Sequence, residues 1–367
     1  MPSTSEPKQA EAETLVDRHG ALGRIRLNRP KALNSLTLRM VRDIEAALDD
    51  FERDPAIAAV LVTGEGERGL CAGGDIRAIY DGGKTGSDLP ETFWREEYRL
   101  NARIGRYPKP YVVVMDGIVM GGGVGISVYG SHRIVTERTR FAMPETGIGF
   151  FPDVGASWFL TRQANELGTY VGLTGEPLGA ADAILVGLAD IFVRSERLAE
   201  LTEALASLPV GSSREAMSAV IAGFWEMPPA GVLGSHRPAI DRLFAFDTID
   251  DILTALHADG SPFAEKLLAV LSTKSPLSLN VTLRLLRLGR KTGRLEDCLE
   301  REFAATAAVL RSHDFYEGVR AAVIDKDRNP QWRPARLADV TATDVDAYFQ
   351  PSAHPLFADK TKEGSPT

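Results

Sequence analysis

The sequence predicts an α/β core followed by a helical C-terminal region, on three observations. A buried-strand pattern leads into a glycine-rich loop and a helix-like stretch, and the same order then repeats in kind. Beyond about residue 215 the strand-like runs stop, and helical periodicity punctuated by proline takes over. The 367 residues suffice for about two domains, or one large core with an appendage, with no need of disulfide or metal staples.

Along the chain, Thr14 to Asp17 and Leu22 to Asn28 are short apolar runs around His19-Gly20, a hairpin pattern. Thr37 is an N-cap for an amphipathic helix with Met40, Val41, Ile44, Ala47, Leu48 and Phe51 at helical spacing, ended by Asp54-Pro55. Ala58 to Thr63 reads as a buried strand, and a glycine-rich loop runs from it to Asp75. Tyr111 to Met115 is a second buried strand, and Gly117 to Gly125 a second glycine-rich loop that leads into a small-residue helix. Arg133 to Thr136 is a third strand, followed by the loop Phe141 to Gly155 and one helix over Ala156 to Leu167. In the last third, Ser275 caps a helix with Pro276 at its first position. Leu277 to Leu288 and Leu295 to Leu310 read as long helices. The expected division is a flexible tail over 1–13, a catalytic core over 14–212, a helical region over 213–351 and a second tail over 352–367.

With 44% hydrophobic and 25% charged residues, the chain is neither disordered nor fibrous. Its net charge of -8 repels a polyanion, which argues against nucleic acid as a main partner. No apolar stretch is long enough to span a membrane. The two cysteines, Cys71 and Cys298, form no framework, which fits a reducing compartment. Residues 1–13 contain three Glu and no Arg, unlike a signal or transit peptide, so the expected location is cytoplasmic.

Several chemistries drop out. There is no HExxH, and the six His lack ligand spacing, so no metal is expected; there is also no GxSxG. Gly64-Glu65-Gly66-Glu67-Arg68-Gly69 matches GxGxxG, but its two Glu oppose a pyrophosphate and no helix starts there. Two other loops, Leu70-Cys71-Ala72-Gly73-Gly74-Asp75-Ile76 and Met120-Gly121-Gly122-Gly123-Val124-Gly125, each follow a buried strand and open a helix. Their N–H groups could converge as an oxyanion hole, or the glycines could serve only tight turns and packing. The segment Met143-Pro144-Glu145-Thr146-Gly147-Ile148-Gly149-Phe150-Phe151-Pro152-Asp153-Val154-Gly155 sets Glu145 and Asp153 among apolar residues. Such surroundings raise a carboxyl pKa and suit acid–base or nucleophilic work, the alternative being two solvated loop acids.

Taken together, the CAGGDI, MGGGVGIS and MPETGIGFFPDVG segments resemble the crotonase (enoyl-CoA hydratase/isomerase) superfamily. The likeness runs from about Leu22 to Phe349 and includes FWREEY over 93–98 and SHDFYEGVR over 312–320. It implies a crotonase-like spiral of ββα units with helices at the C-terminal end. It also implies an acyl-CoA substrate, with no separate cofactor, and a possible homo-oligomer. The N–H groups of Gly74 and Gly122 would form the oxyanion hole, and Glu97, Gly122, Glu145 and Asp153 would contact substrate. Arg29 or Lys31 would pair with a CoA phosphate, or both could be ordinary solvated bases.

Two departures from the superfamily pattern favour its hydrolase branch. Hydratases use two Glu to position water across a double bond; Glu145 matches one, but Gly125 stands at the other. Asp153 stands where hydratases usually carry Gly. The resemblance therefore implies thioester hydrolysis of a short branched 3-hydroxyacyl-CoA, with Glu145 as nucleophile or general base. A hydratase or isomerase, and a non-catalytic acyl-CoA-binding protein, are the alternatives. Cys71 is expected to be a buried structural thiol, Asp75 a helix cap, and His313 with Asp314 structural. Phe150, Phe151 and Trp158 are expected to wall the acyl pocket or core.

Overall fold

The computed structural model describes residues 12–357, so most of both expected tails lies outside the described residues. Thr14–His19 (β1) and Leu22–Leu27 (β2) form the antiparallel hairpin, with Val16 opposite Ile25. The Thr37 hydroxyl accepts the Met40 N–H at 3.1 Å and starts the helix Leu38–Arg53 (α1). The apolar positions read from its spacing are the ones it buries.

Ala59–Gly64 (β3) lies parallel to β2. The stretches expected to be glycine loops each conceal a strand of 3 residues: Gly69–Cys71 (β4) after β3, and Ile118–Met120 (β6) after Tyr111–Met115 (β5). His132–Val135 (β7) hands over to Arg140–Ala142 (β8) in the same way, and Ile191–Phe192 (β9) ends the series. One sheet runs β1-β2-β3-β5-β7-β9 and the other β4-β6-β8. All pairings except the hairpin are parallel. β3, β5 and β7 therefore each pass the chain to a short strand in the second sheet, and helical segments return it for the next turn. Ile76–Thr85 (α2) and Leu89–Gly105 (α3) do so after β4, and the single turn Gly122–Gly125 after β6. This is the expected spiral of ββα units.

The central strands read as continuous apolar runs because both of their faces are covered. Val60, Val62, Val113 and Met115 join the main core with α1. Their neighbours Ala59, Leu61, Val112 and Val114 point the other way, onto Leu201, Leu205, Met217 and Ile221. The helices that carry those last four, Leu198–Ala206 and Arg214–Ala222, thus seal the back of the sheet.

In the C-terminal region Ser275 accepts the Ser278 N–H at 3.1 Å and opens the helix Pro276–Arg290. That helix packs on Ala156–Phe159 and Leu167–Thr174, while Leu295–Val309 lies along α3. One helix over Ala156 to Leu167 does not form. The polar stretch between the two segments is held from outside instead: Asp241 accepts the Glu166 N–H, and Arg290 pairs with the Glu166 carboxylate at 2.6 Å. A second correction concerns 352–357, read as part of a tail. Leu356 is buried, and Glu300 accepts the backbone N–H groups of Leu356 and Phe357 at 2.9 and 3.0 Å.

Candidate active site

Three segments from different turns of the spiral meet at the site. The first is the pair of glycine loops. Among the described residues, neither the Gly74 nor the Gly122 N–H has a backbone or side-chain acceptor, although their neighbours do: Asp75 N–H reaches Leu36 O and Val124 N–H reaches Gly121 O. The two glycines lie side by side, since a methyl group built on Gly122 would lie 3.2 Å from the Gly74 nitrogen. Gly121, at φ +48°, makes the turn between β6 and the segment that starts at Gly122, a conformation that favours glycine.

The second segment is the acid loop. Glu145 opens a short 3-10 turn, Glu145–Ile148, directly after β8. Its Oε1 lies 3.2 Å from where a methyl on Gly121 would sit, beside the unpaired N–H of Gly122. Phe150 and Phe151, which lie between it and Asp153 in the sequence, stack with centroids 4.6 Å apart, and Trp94 of α3 stacks on Phe150. Val154 then takes φ +52°, a costly conformation for a β-branched residue. It is held by Tyr129, whose hydroxyl donates to Val154 O at 2.7 Å, and by Glu302. The Glu302 carboxylate, wholly buried, accepts from Gly155 N–H at 2.6 Å and from the Ser157 N–H and hydroxyl at 2.9 and 2.5 Å.

The third segment is α3, which presents Trp94, Glu97, Tyr98 and Asn101 on one buried face, as residues three and four apart must fall. Tyr98 donates its hydroxyl to Asp153 Oδ2 at 2.6 Å. Glu97 Oε1 and Glu145 Oε2 are buried with no hydrogen-bond partner among the described residues.

Burial is the dominant influence on these acids. It pushes Glu97 well above the usual carboxylate range, with the Asp153 charge adding to the shift. Glu145 is raised in the same way, burial first and Asp153 next, against the smaller opposing pull of its own backbone N–H and of Lys274. Asp153 is raised to about 7 by burial, partly offset by the Tyr98 hydrogen bond. All three retain protons at pH values where exposed acids have lost theirs.

That shift makes a stability prediction. Between 3.8 and about 7 the folded protein holds a proton on Asp153 that the unfolded chain has lost. Folding stability from this group therefore falls as pH rises through that window and levels off above it. Asp153→Asn keeps an acceptor for Tyr98 but removes the ionisation. In urea titrations the variant is expected to exceed the wild type by about 1–3 kcal/mol at pH 8, with the gap closing toward pH 4. A gap of equal size at both pH values would contradict this account.

The structure thus brings Gly74, Gly122, Glu97, Glu145 and Asp153 together. Arg29 is committed elsewhere: its guanidinium donates to Ser35 O at 2.7 Å and pairs with Asp75 at 3.0 Å and Glu13 at 3.3 Å. It is therefore not presented to a phosphate, whereas Lys31 is exposed on the short turn Pro30–Ala32. Asp75 also accepts the Ala78 N–H at the start of α2, the expected cap. Cys71 is buried with its thiol pushed up to about 12, so it is no ready nucleophile. Asp314, also buried, accepts from the Ser275 hydroxyl at 2.6 Å and the Arg333 N–H at 2.7 Å and ties helices together. Tyr98, Asn101 and Glu302 were not foreseen. The helical spacing of Glu97, Tyr98 and Asn101 was the available signal for two of them; Glu302 carried none.

Gly125 bears on the reaction. A methyl there would stand 2.8 Å from both Asn101 Nδ2 and Val154 Cβ. A second glutamate is thus absent from the position, and the space it would need is already filled.

Parallel strands shared between two sheets, two unpaired loop N–H groups and buried acids beside them define a crotonase-type site, and the chain belongs to the enoyl-CoA hydratase/isomerase family, which it matches over residues 22–349. Among curated proteins it is 45% identical to rat mitochondrial 3-hydroxyisobutyryl-CoA hydrolase over 92% of this chain and 89% of that one. The human protein of the same name is 42% identical over 94% and 90%. Among solved structures, one described as a carnitinyl-CoA dehydratase from Mycobacterium thermoresistibile is 46% identical, covers 94% of this chain and 98% of its own, and superposes with a TM-score of 0.89. An enoyl-CoA hydratase from Rhodobacter sphaeroides gives 40%, 93%, 98% and 0.83.

Proposed function

We propose that the protein hydrolyses an acyl-CoA thioester, with 3-hydroxyisobutyryl-CoA as substrate and CoA and 3-hydroxyisobutyrate as products, a step of valine breakdown. The observation that carries this reading is Glu145 and Asp153 buried together beside two unpaired N–H groups, with the second hydratase acid missing at Gly125 and its space occupied. The likeness to the curated hydrolases supports it.

The thioester carbonyl oxygen sits between the Gly74 and Gly122 N–H groups, which stabilise the charge it gains, about 3 kcal/mol for each donor. In one route Glu145 gives up its proton and, in its ionised form, attacks the carbonyl carbon. The C–S bond breaks, the CoA thiolate takes the proton held by Asp153, and water opens the resulting mixed anhydride to give the hydroxy acid and the Glu145 carboxylate, the water's second proton returning to Asp153. In the other route Glu145 removes a proton from the attacking water. Asp153 exchanges that proton or fixes the substrate hydroxyl, and Glu97 lines the same polar end. No metal or redox cofactor takes part. The two free buried cysteines support a reducing setting, which we take to be the cytoplasm although the vertebrate relatives are named as mitochondrial; cell fractionation distinguishes the two.

A hydratase reading draws on the names of the two solved structures and makes the opposite forecast. Purified protein given 3-hydroxyisobutyryl-CoA and crotonyl-CoA in parallel is expected to release thiol from the first and leave the enoyl absorbance of the second nearly unchanged. Loss of that absorbance without thiol release would replace the hydrolase reading with hydration.

A further inference from the structure

Asn101 lies one helical turn beyond Glu97 on α3 and is completely buried. Neither its Oδ1 nor its Nδ2 has a hydrogen-bond partner among the described residues. A buried amide with both ends unpaired is costly, and native proteins rarely keep one without a use for it. Two of the site's carboxyl groups share that condition, through Glu97 Oε1 and Glu145 Oε2. Other buried polar groups nearby are engaged: Asp153 with Tyr98, and Glu302 with Gly155 and Ser157.

The turn Gly121–Gly125 is the shared neighbour of two of these unpaired atoms, Glu97 Oε1 and Asn101 Nδ2, and of the other oxygen of the Glu145 carboxyl group. A methyl on Gly122 would collide with Glu97 Oε1, one on Gly125 would meet Asn101 Nδ2 at 2.8 Å, and one on Gly121 would meet Glu145 Oε1 at 3.2 Å. Glu97 and Asn101 thus approach the oxyanion turn from one helix face, with Asn101 beside Val154 of the acid loop. Together they offer an amide donor, an amide acceptor and a carboxyl. A substrate hydroxyl, which donates one hydrogen bond and accepts others, is complementary to that set, and a plain hydrocarbon is not.

We propose that Asn101, together with Glu97, binds the 3-hydroxyl of the acyl group and so selects hydroxyacyl over unsubstituted acyl thioesters. The inference rests on the thioesterase reading and adds to it a specificity residue. A site built to bond a hydroxyl leaves its own polar groups unpaired when the hydroxyl is missing, which is the source of the discrimination.

Asn101→Leu tests this, because leucine nearly matches the shape and removes both polar ends. Thiol release from 3-hydroxyisobutyryl-CoA is compared with isobutyryl-CoA, the latter as a substrate or as a competing inhibitor. The variant is expected to lose about tenfold or more in kcat/KM on the hydroxyacyl thioester, the equivalent of one or two hydrogen bonds. Its handling of isobutyryl-CoA should change by less than about twofold, and its thermal midpoint should hold or rise, since an unpaired amide has been removed. Equal losses on both thioesters, or no loss on either, would overturn the assignment, and a lowered midpoint with equal losses would make Asn101 a structural residue. If Asn101→Leu does not fold, Asn101→Ala is read by the same ratio. Wild-type protein that releases no thiol from any acyl-CoA would overturn the thioesterase reading and this assignment together. Wild-type release with an unmoved ratio would overturn only the role of Asn101.

Discussion

Glu145→Gln should reduce thiol release from 3-hydroxyisobutyryl-CoA by roughly 10²–10⁴-fold, the scale of a lost general base, and by more if Glu145 is the nucleophile. Glutamine matches the volume of the side chain, so the stacked Phe150 and Phe151 and the backbone of the turn keep their places. Acyl-CoA should still bind, because the Gly74 and Gly122 donors are untouched. Burial holds the Glu145 carboxyl well above the usual range, so the neutral amide should be at least as stable at pH 7. Stopped-assay thiol release and calorimetric binding check the two halves, and a variant within tenfold of the wild type would remove Glu145 from the reaction. A single turnover in ¹⁸O-water then separates the two routes. Label found in the Glu145 peptide means that the side chain itself was acylated and then released by water.

Gly122→Ala is expected to have the second largest effect. The residue's own backbone tolerates alanine, as its φ is not positive, so any loss reports the space around it. The new methyl would overlap Glu97 Oε1 and stand 3.2 Å from the Gly74 nitrogen and from Leu36 Cδ1. It would thus crowd both oxyanion donors at the point where the thioester oxygen must sit. Loss of one such donor typically costs about 10²–10³ in kcat. We expect at least that, read as kcat for thiol release, with the circular dichroism spectrum unchanged. A kcat within threefold of the wild type would mean that the carbonyl is held elsewhere.

The parts of this molecule legible in the sequence are those governed by local rules. Thr37 and Ser275 announce their helices because capping is a matter of three residues, and Tyr111–Met115 announces itself because a strand covered on both faces is uniformly apolar. The short strands β4, β6 and β8 are invisible at that level. Three residues are too few for a period, and their glycines read as loop until the neighbouring turns of the spiral supply the ladder. Glu97, Glu145 and Asp153 could be picked out by family likeness, but their meeting depends on α3 crossing beneath a loop some fifty residues on, as the Tyr98–Asp153 bond over 55 residues shows. Arg29 is the converse case. Its sequence neighbourhood looks like a free basic turn, and only folding brings Glu13 and Asp75 onto the guanidinium.

Glu302 has a consequence for how the protein is made. It lies 147 residues beyond Gly155, whose N–H it accepts, and it steadies the backbone immediately after Asp153. During synthesis at about 5–20 residues per second, the acid loop is polymerised roughly 7–30 seconds before its restraint. Over that interval the nascent chain already carries both glycine loops, Glu145 and Asp153, yet Val154 and Gly155 lack the contact that holds them in their costly geometry. The emerging chain thus carries its acid-loop side chains well before the hydrogen bond that steadies the backbone beside them can form.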